Sequence, residues 1–212
     1  MKNHWRQLGK LLPSSLERKM YESYFQKEHE TWEAQGLGFP PSHLAKQKVL
    51  RHFANQYHIH TLIETGTYLG DMVYAMQPFF KEIYSIELSE FYHNKAKQRF
   101  SNTKNVHLVL GDSAEKLNEL VLQLKEPALF WLDGHYSGGK TALGSKECPV
   151  YEELDAIFQS PIPHVIIIDD ARLFIGENDY PTIEALSHYV KQHWPDALIN
   201  VENDSIRITK TN

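Results

Sequence analysis

The sequence predicts an open, doubly wound α/β sheet, mostly parallel, with an antiparallel hairpin at its C-terminal end and a helical extension in front. Three observations predict it. From about residue 59, short and continuously apolar segments alternate with longer amphipathic ones, the pattern of parallel strands covered on both faces by helices. The alternation stops near the end, where "DALINVE" and "SIRITK" flank "ND" as the arms of a hairpin flank their turn. The first 58 residues show helical spacing instead.

In that N-terminal part Leu8, Leu12, Leu16, Met20, Tyr24 and Phe25 recur near one helical face, with Pro13 and Ser14 marking an interruption. "GLGFPPS" (36–42) reads as a loop, and Ser42 is placed to cap a helix through "HLAKQKVLRHFANQY". Residues 1–58 are therefore expected to form a helical extension that covers the sheet, dimerises the chain or roofs a pocket; the pattern does not choose. Residues 59–212 are expected to form the main domain. Its first strand is "HTLIET", followed by the glycine-opened helix pattern "GTYLGDMVYAMQPFF". "EIYSIEL" is the second strand, and Ser89 starts the helix "EFYHNKAKQRF". "VHLVLG" precedes "DSAEKLNELVLQL"; "ALFWLD" precedes a glycine-rich loop and "PVYEELDAIF"; "HVIIIDD" precedes "PTIEALSHYVKQHW".

Charge and cysteine content narrow the function classes. Lys and Arg number 22 against 27 Asp and Glu, a net charge of −5, so no basic surface for nucleic acid or an anionic membrane is indicated. Cys148 is the one cysteine, which excludes an intrachain disulfide and fits a reducing compartment. No apolar run approaches the roughly 18–20 residues that span a bilayer, and the basic N-terminus lacks a signal-peptide core. A cytoplasmic protein is expected. The 12 histidines are scattered and form no HExxH or Cys-His set, so a zinc site is not supported.

In sheets of this kind ligands bind beyond the carboxyl ends of the strands. Each predicted parallel strand ends on acid: Glu64, Glu87, Asp112 with Ser113, Asp133, and the pair Asp169-Asp170. The loop Gly66-Thr67-Tyr68-Leu69-Gly70 has neither the lysine of a phosphate loop nor GxGxxG spacing. Glu64 just before it repels a pyrophosphate and suits an ammonium group. Glu87 suits the two hydroxyls of a ribose, and Asp112-Ser113 suits the edge of an adenine. The set points to a nucleoside that carries a cationic amino-acid tail.

"ETGTYLG", "SIEL", "GDS" and "WLD", each at the end of its strand, resemble the successive motifs of the class I S-adenosylmethionine-dependent methyltransferases over residues 60–210. The resemblance implies a Rossmann-like sheet with the terminal hairpin. It further implies that Gly66, Thr67, Tyr68 and Gly70 wrap the methionine portion, that Glu87 holds the ribose, and that Asp112 and Ser113 lie by the adenine. One departure is the single early glycine, where many relatives carry G-x-G; hydroxyls of Thr67 and Tyr68 stand in for backbone contacts there.

Asp133, Asp169 and Asp170 at neighbouring strand tips repel one another unless protons or a cation intervene, and an all-oxygen set suits Mg²⁺, with Ca²⁺ or Mn²⁺ as less specific fits. The arrangement is similar to that of the metal-dependent sugar O-methyltransferases of macrolide and aminocoumarin pathways, which implies these three as metal ligands. The other reading gives Asp133 to the ligand ammonium and Asp170 to a helix cap. His135, two residues past Asp133, is the expected general base for an acceptor hydroxyl, with Asp133 beside it and Tyr136 and Arg172 as orienting residues. Residues 137–149 are expected to form a lid, and Cys148 has no evident base to make it a nucleophile. The expected activity is O-methylation of a small polar acceptor; N-methylation is an open variant. Two other readings are a cofactor-binding partner module and a metal-dependent hydrolase. The second leaves Glu64 and Glu87 unexplained.

Overall fold

A computed structural model of the protein describes residues 14–134 and 148–210. The chain divides into two compact units between Val49 and Leu50. In the first, α1 (Ser14–Ala34) starts where Pro13 and Ser14 interrupt the apolar pattern. α2 (His43–Gln56) begins after Ser42, whose Oγ accepts from the Ala45 N–H at 3.2 Å, the predicted cap. The same hydroxyl lies 2.6 Å from His29 Nδ1, and Lys48 Nζ lies 2.9 Å from the other ring nitrogen, so His29 is buried in a local polar knot.

The second unit holds a seven-stranded sheet with the order β3-β2-β1-β4-β5-β7-β6. Its strands are β1 (Thr61–Thr65), β2 (Glu82–Glu87), β3 (Val106–Leu110), β4 (Ala128–Leu132), β5 (Val165–Ile168), β6 (Ala197–Glu202) and β7 (Ser205–Lys210). β1 to β5 run parallel, and β7 pairs antiparallel with both β5 and β6. The expected fold class is the one observed. Every residue of β4 and β5 is buried, as their unbroken apolar character demands when both sheet faces are covered. The edge strand β6 keeps only Ala197 buried. Its turn to β7, Asn203-Asp204, has φ of 49° and 59°, the left-handed pair that favours Asn and Asp in a two-residue hairpin.

Helices follow each parallel strand: α3 (Asp71–Met76), α4 (Glu90–Arg99), α5 (Ser113–Val121), α6 (Val150–Phe158) and α7 (Ile183–His193). α3 is shorter than its apolar pattern suggests. Pro78 has no N–H to continue the ladder, so the helix closes at Gln77, whose N–H reaches the Val73 carbonyl at 2.9 Å. α5 and α7 are capped from the side chains of Asp112 and Thr182, while Ser89 precedes α4 without a side-chain cap bond. A short 3₁₀ turn, Ala171–Leu173, follows β5. Because β1 and β4 are neighbours and run outward from the chain reversal, the carboxyl ends of β2, β1, β4 and β5 form one continuous row.

Candidate active site

The loop after β1 is built to lie on the tip of β2. Gly66 and Thr67 donate their N–H groups to the Ile86 carbonyl at 2.9 and 3.3 Å, and Gly70 donates to the Thr67 carbonyl at 2.8 Å. Tyr68, with φ of 49°, donates its N–H to Glu87 Oε2 at 2.7 Å, and Ser89 donates to Oε1 at 2.8 Å. Three of the loop's five N–H groups thus bond to β2 and a fourth closes the loop's own turn, which agrees with the absence of a phosphate-loop pattern. Each Glu87 oxygen keeps a second lone pair, and a vicinal diol can donate to both. Gly66 is required twice over. Its φ is +87°, and a Cβ there would stand 2.4 Å from the Asp133 carbonyl oxygen.

Beneath the loop, Glu64 is 2% exposed and accepts a short hydrogen bond from Ser85 Oγ, its cross-strand neighbour. Burial pushes its carboxyl up to about 8, against the Ser85 bond, with the charges of Glu87 and Asp71 adding to the rise. A group this enclosed does not offer an oxygen directly to a bound ammonium; its route outward is through Ser85 to Thr67, whose Oγ1 lies 2.6 Å from Ser85 Oγ. Asp112 accepts from the Ala114 N–H at 3.0 Å, so part of the group expected at an adenine serves as the cap of α5, with Ser113 as first residue of that helix.

Glu153 is a site residue that the sequence reading missed. It lies in the first turns of α6, fully buried, and burial pushes its carboxyl up to about 7. Ser113 and Thr65 lie near enough to favour its charged form, yet neither its oxygens nor Thr65 Oγ1 reach hydrogen-bonding geometry with any described residue. The ideal Cβ position on Gly134 is 3.1 Å from Thr65 Oγ1 and 3.3 Å from Glu153 Oε1, so these groups crowd the turn that follows Asp133. The signal was available: Val150, Glu153, Leu154 and Ile157 share one helical face, and an acid in that stripe is out of place.

On the other side of β1, the ladder carries past the strand ends: Asp133 N–H meets the Thr65 carbonyl at 3.2 Å and Asp169 N–H meets the Leu132 carbonyl at 3.0 Å. Asp133, Asp169 and Asp170 each present a carboxylate oxygen, all within 4.8 Å of one another. Asp169 is buried and the other two are half-buried. Asp170 takes φ of 56°, which swings the chain into the 3₁₀ turn. Arg172 Nη1 donates to Asp170 Oδ1 at 2.9 Å and makes a short ion pair with Asp204 from the hairpin turn. Asp204 also accepts from the Arg172 N–H at 2.9 Å. The donor set fits a hard divalent cation, whose ligand oxygens sit about 2.0–2.6 Å from the metal and so up to about 5 Å apart.

His135, Tyr136 and the expected lid through 147 lie outside the described residues. Cys148 is buried, and burial pushes its thiol up to about 12, so it is no nucleophile near neutral pH.

No family model and no curated protein matches the chain. Solved structures do. The O-methyltransferase TomG from Streptomyces achromogenes, involved in tomaymycin synthesis and solved with S-adenosylmethionine, is similar at 15% identity over 89% of each chain, with a TM-score of 0.55. An O-methyltransferase from Bacillus cereus, solved with S-adenosylhomocysteine, matches at 16% identity over 89% of this chain and 91% of that one, TM-score 0.56. The chain has the class I methyltransferase fold. A Clostridium thermocellum protein described as an rRNA methylase shares it, at 10% identity over 76% of this chain and 95% of the other, TM-score 0.54. The fold alone therefore does not name the acceptor, which must be argued from the site.

Proposed function

We propose that the protein is an S-adenosylmethionine-dependent methyltransferase that acts on a hydroxyl of a small polar acceptor, a sugar-containing metabolite being a fitting class, with help from a divalent cation such as Mg²⁺. The observation that carries this reading is the clipping of the Gly66–Gly70 loop onto Glu87, with Gly66 pressed against the Asp133 backbone. That arrangement leaves paired acceptors for a ribose on one side of the loop and three carboxylates on the other. Asp112 and Ser113 flank the adenine end. Bound there, the cofactor supplies a methyl group on a positively charged sulfur, and the cation supplies Lewis acidity that lowers the acceptor hydroxyl's pKa.

The chain's own residues do the rest. Asp133, Asp169 and Asp170 hold the cation and orient the acceptor oxygen, while Arg172 limits the net negative charge beside them. His135 takes the acceptor's proton, a role typically worth about 10²–10⁴-fold in rate. A net charge of −5 favours a small acceptor over RNA.

Calorimetry with S-adenosylhomocysteine tests the cofactor. Binding that weakens sharply in Glu87→Ala supports the reading; an absence of binding to the intact protein sinks it. Activity that persists unchanged in His135→Ala removes the assigned base.

A further inference from the structure

The glycine loop meets β2 through a row of side chains as well as through its backbone. Thr67, Ser85 and Glu64 stand in line, 4%, 0% and 2% exposed, with Ser85 as the hydroxyl between loop and acid. No cationic side chain among the described residues pairs with Glu64. The charged groups that face it are Glu87 at the end of β2 and Asp71 at the start of α3, both negative. Asp71 is itself held by Arg99 of α4 at 2.8 Å. A desolvated carboxyl among like charges, bonded only to a neutral hydroxyl, keeps its proton until a positive charge arrives.

We propose that uptake of a ligand bearing an ammonium group at this loop is coupled to loss of one proton from Glu64, with Ser85 and Thr67 joining the two events. The proposal rests on the S-adenosylmethionine reading and extends it. Glu64 is in this view a positioning residue that acts through two hydroxyls. With an ammonium beside Thr67, the Thr67 hydroxyl accepts from it and donates to Ser85 Oγ, and Ser85 donates to Glu64. The row of donors then ends on a carboxylate, and each hydrogen bond is polarised the same way. The Glu64 proton passes to the solvent, so the pocket gains one positive charge and gives one up. Without the ammonium the acid stays neutral and the loop keeps its fastening.

The coupling has a signature that mere fastening lacks. Affinity for a ligand with the amino-acid tail rises with pH, by up to about tenfold per unit below the Glu64 titration near pH 8. Affinity for 5′-methylthioadenosine, which lacks the tail, does not follow it. Calorimetry of the full chain at pH 7 in two buffers of different ionisation enthalpy counts the protons directly. S-adenosylhomocysteine is expected to release about one proton and methylthioadenosine none. Glu64→Gln, the volume-matched mimic of the neutral acid, is expected to remove that release. Ser85→Ala keeps the acid but cuts the row, and is expected to narrow the affinity ratio of the two ligands roughly tenfold, the worth of one hydrogen bond to a charged group. Melting curves establish that both variants fold. An equal proton count in the intact protein and in Glu64→Gln overturns the coupling while leaving the cofactor in place. An unchanged ligand ratio and proton count in Ser85→Ala overturn the hydroxyl row, including where Glu64→Gln fails to fold. If the intact protein binds neither ligand, the cofactor reading itself falls and the coupling with it.

Discussion

The tips of β1 and β2 and the tips of β4 and β5 both gather carboxylates, and they tolerate them by opposite means. On the β1–β2 side, Glu64 is sealed and burial pushes its carboxyl up to about 8, while Glu87 accepts from two backbone N–H groups. On the β4–β5 side, three aspartates converge within 4.8 Å with Arg172 at one flank. The first arrangement is complete in itself and would recognise a ligand through the lone pairs left over. The second gathers three acids whose oxygens could meet on one ion, and a metal bound there would add stability as well as chemistry. One side is thus a mould that would answer a cationic ligand by losing a proton, and the other a cluster that would answer by holding a metal ion.

The largest expected effect breaks the mould where the two sides touch. In Gly66→Ala the strained φ costs about 1–2 kcal/mol and the clash with Asp133 about 1–3 kcal/mol more. Denaturant unfolding should show a loss of about 2–5 kcal/mol together with loss of S-adenosylhomocysteine binding. Wild-type stability in this variant refutes the close approach of β1 and β4 tips. Next is Glu87→Ala, which strips both Tyr68 and Ser89 of a charged acceptor worth about 1.5–3 kcal/mol each. Titration should show S-adenosylhomocysteine affinity lower by at least about 30-fold, with the fold retained. An effect confined to stability would move Glu87 from recognition to scaffolding.

The β4–β5 side responds to ions. Magnesium at about a hundredfold excess over its dissociation constant should stabilise the protein by about 2.7 kcal/mol, visible as a rise in melting temperature. Asp169→Asn should abolish that rise. A magnesium response that survives the substitution places the ion elsewhere.

The two sides were also unequally legible in the sequence. The acids at the five strand ends stand out because an apolar run that stops on a carboxylate is visible in one dimension, and the sheet puts them in one row. Ser85 and Glu153 were missed for different reasons. Ser85 matters only because the β1–β2 register sets it opposite Glu64, and register depends on pairing between segments that the sequence lists apart. Glu153 did carry a local sign, an acid inside an apolar helical stripe, but "EEL" also reads as a solvated helix face. Asp204 shows a third kind of miss. It was legible as a turn residue, yet its carboxylate reaches Arg172 across the fold, a contact made by topology.

The smallest effect expected is in stability against pH, because two buried acids and a buried histidine partly oppose one another. Glu64 and Glu153 have folded pKa values raised to about 8 and about 7 from 4.5, so their contribution is complete below about pH 4.5 and is lost as pH rises through those values. His164 is the opposite case. Its ring accepts from the Ala128 N–H at 3.0 Å, and burial together with Lys210 lowers it to about 4 from 6.5. Its contribution is present above about pH 6.5 and is lost as pH falls toward 4. Between pH 4.5 and 6.5 His164 cancels one of the two acids' protons and the other remains, and above about pH 7 Glu64 is the main group still titrating. From pH 7 to 8 its loss is about 1 kcal/mol, below the limit of about 1.4 kcal/mol for one proton per pH unit. Urea unfolding at pH 6, 7 and 8 should show the stability of the intact protein falling relative to Glu64→Gln by that amount over the last unit. A difference that stays flat there means that Glu64 is already ionised at pH 7. The β1–β2 side would then have no proton to give up to a cationic ligand, and the contrast with the β4–β5 side would vanish.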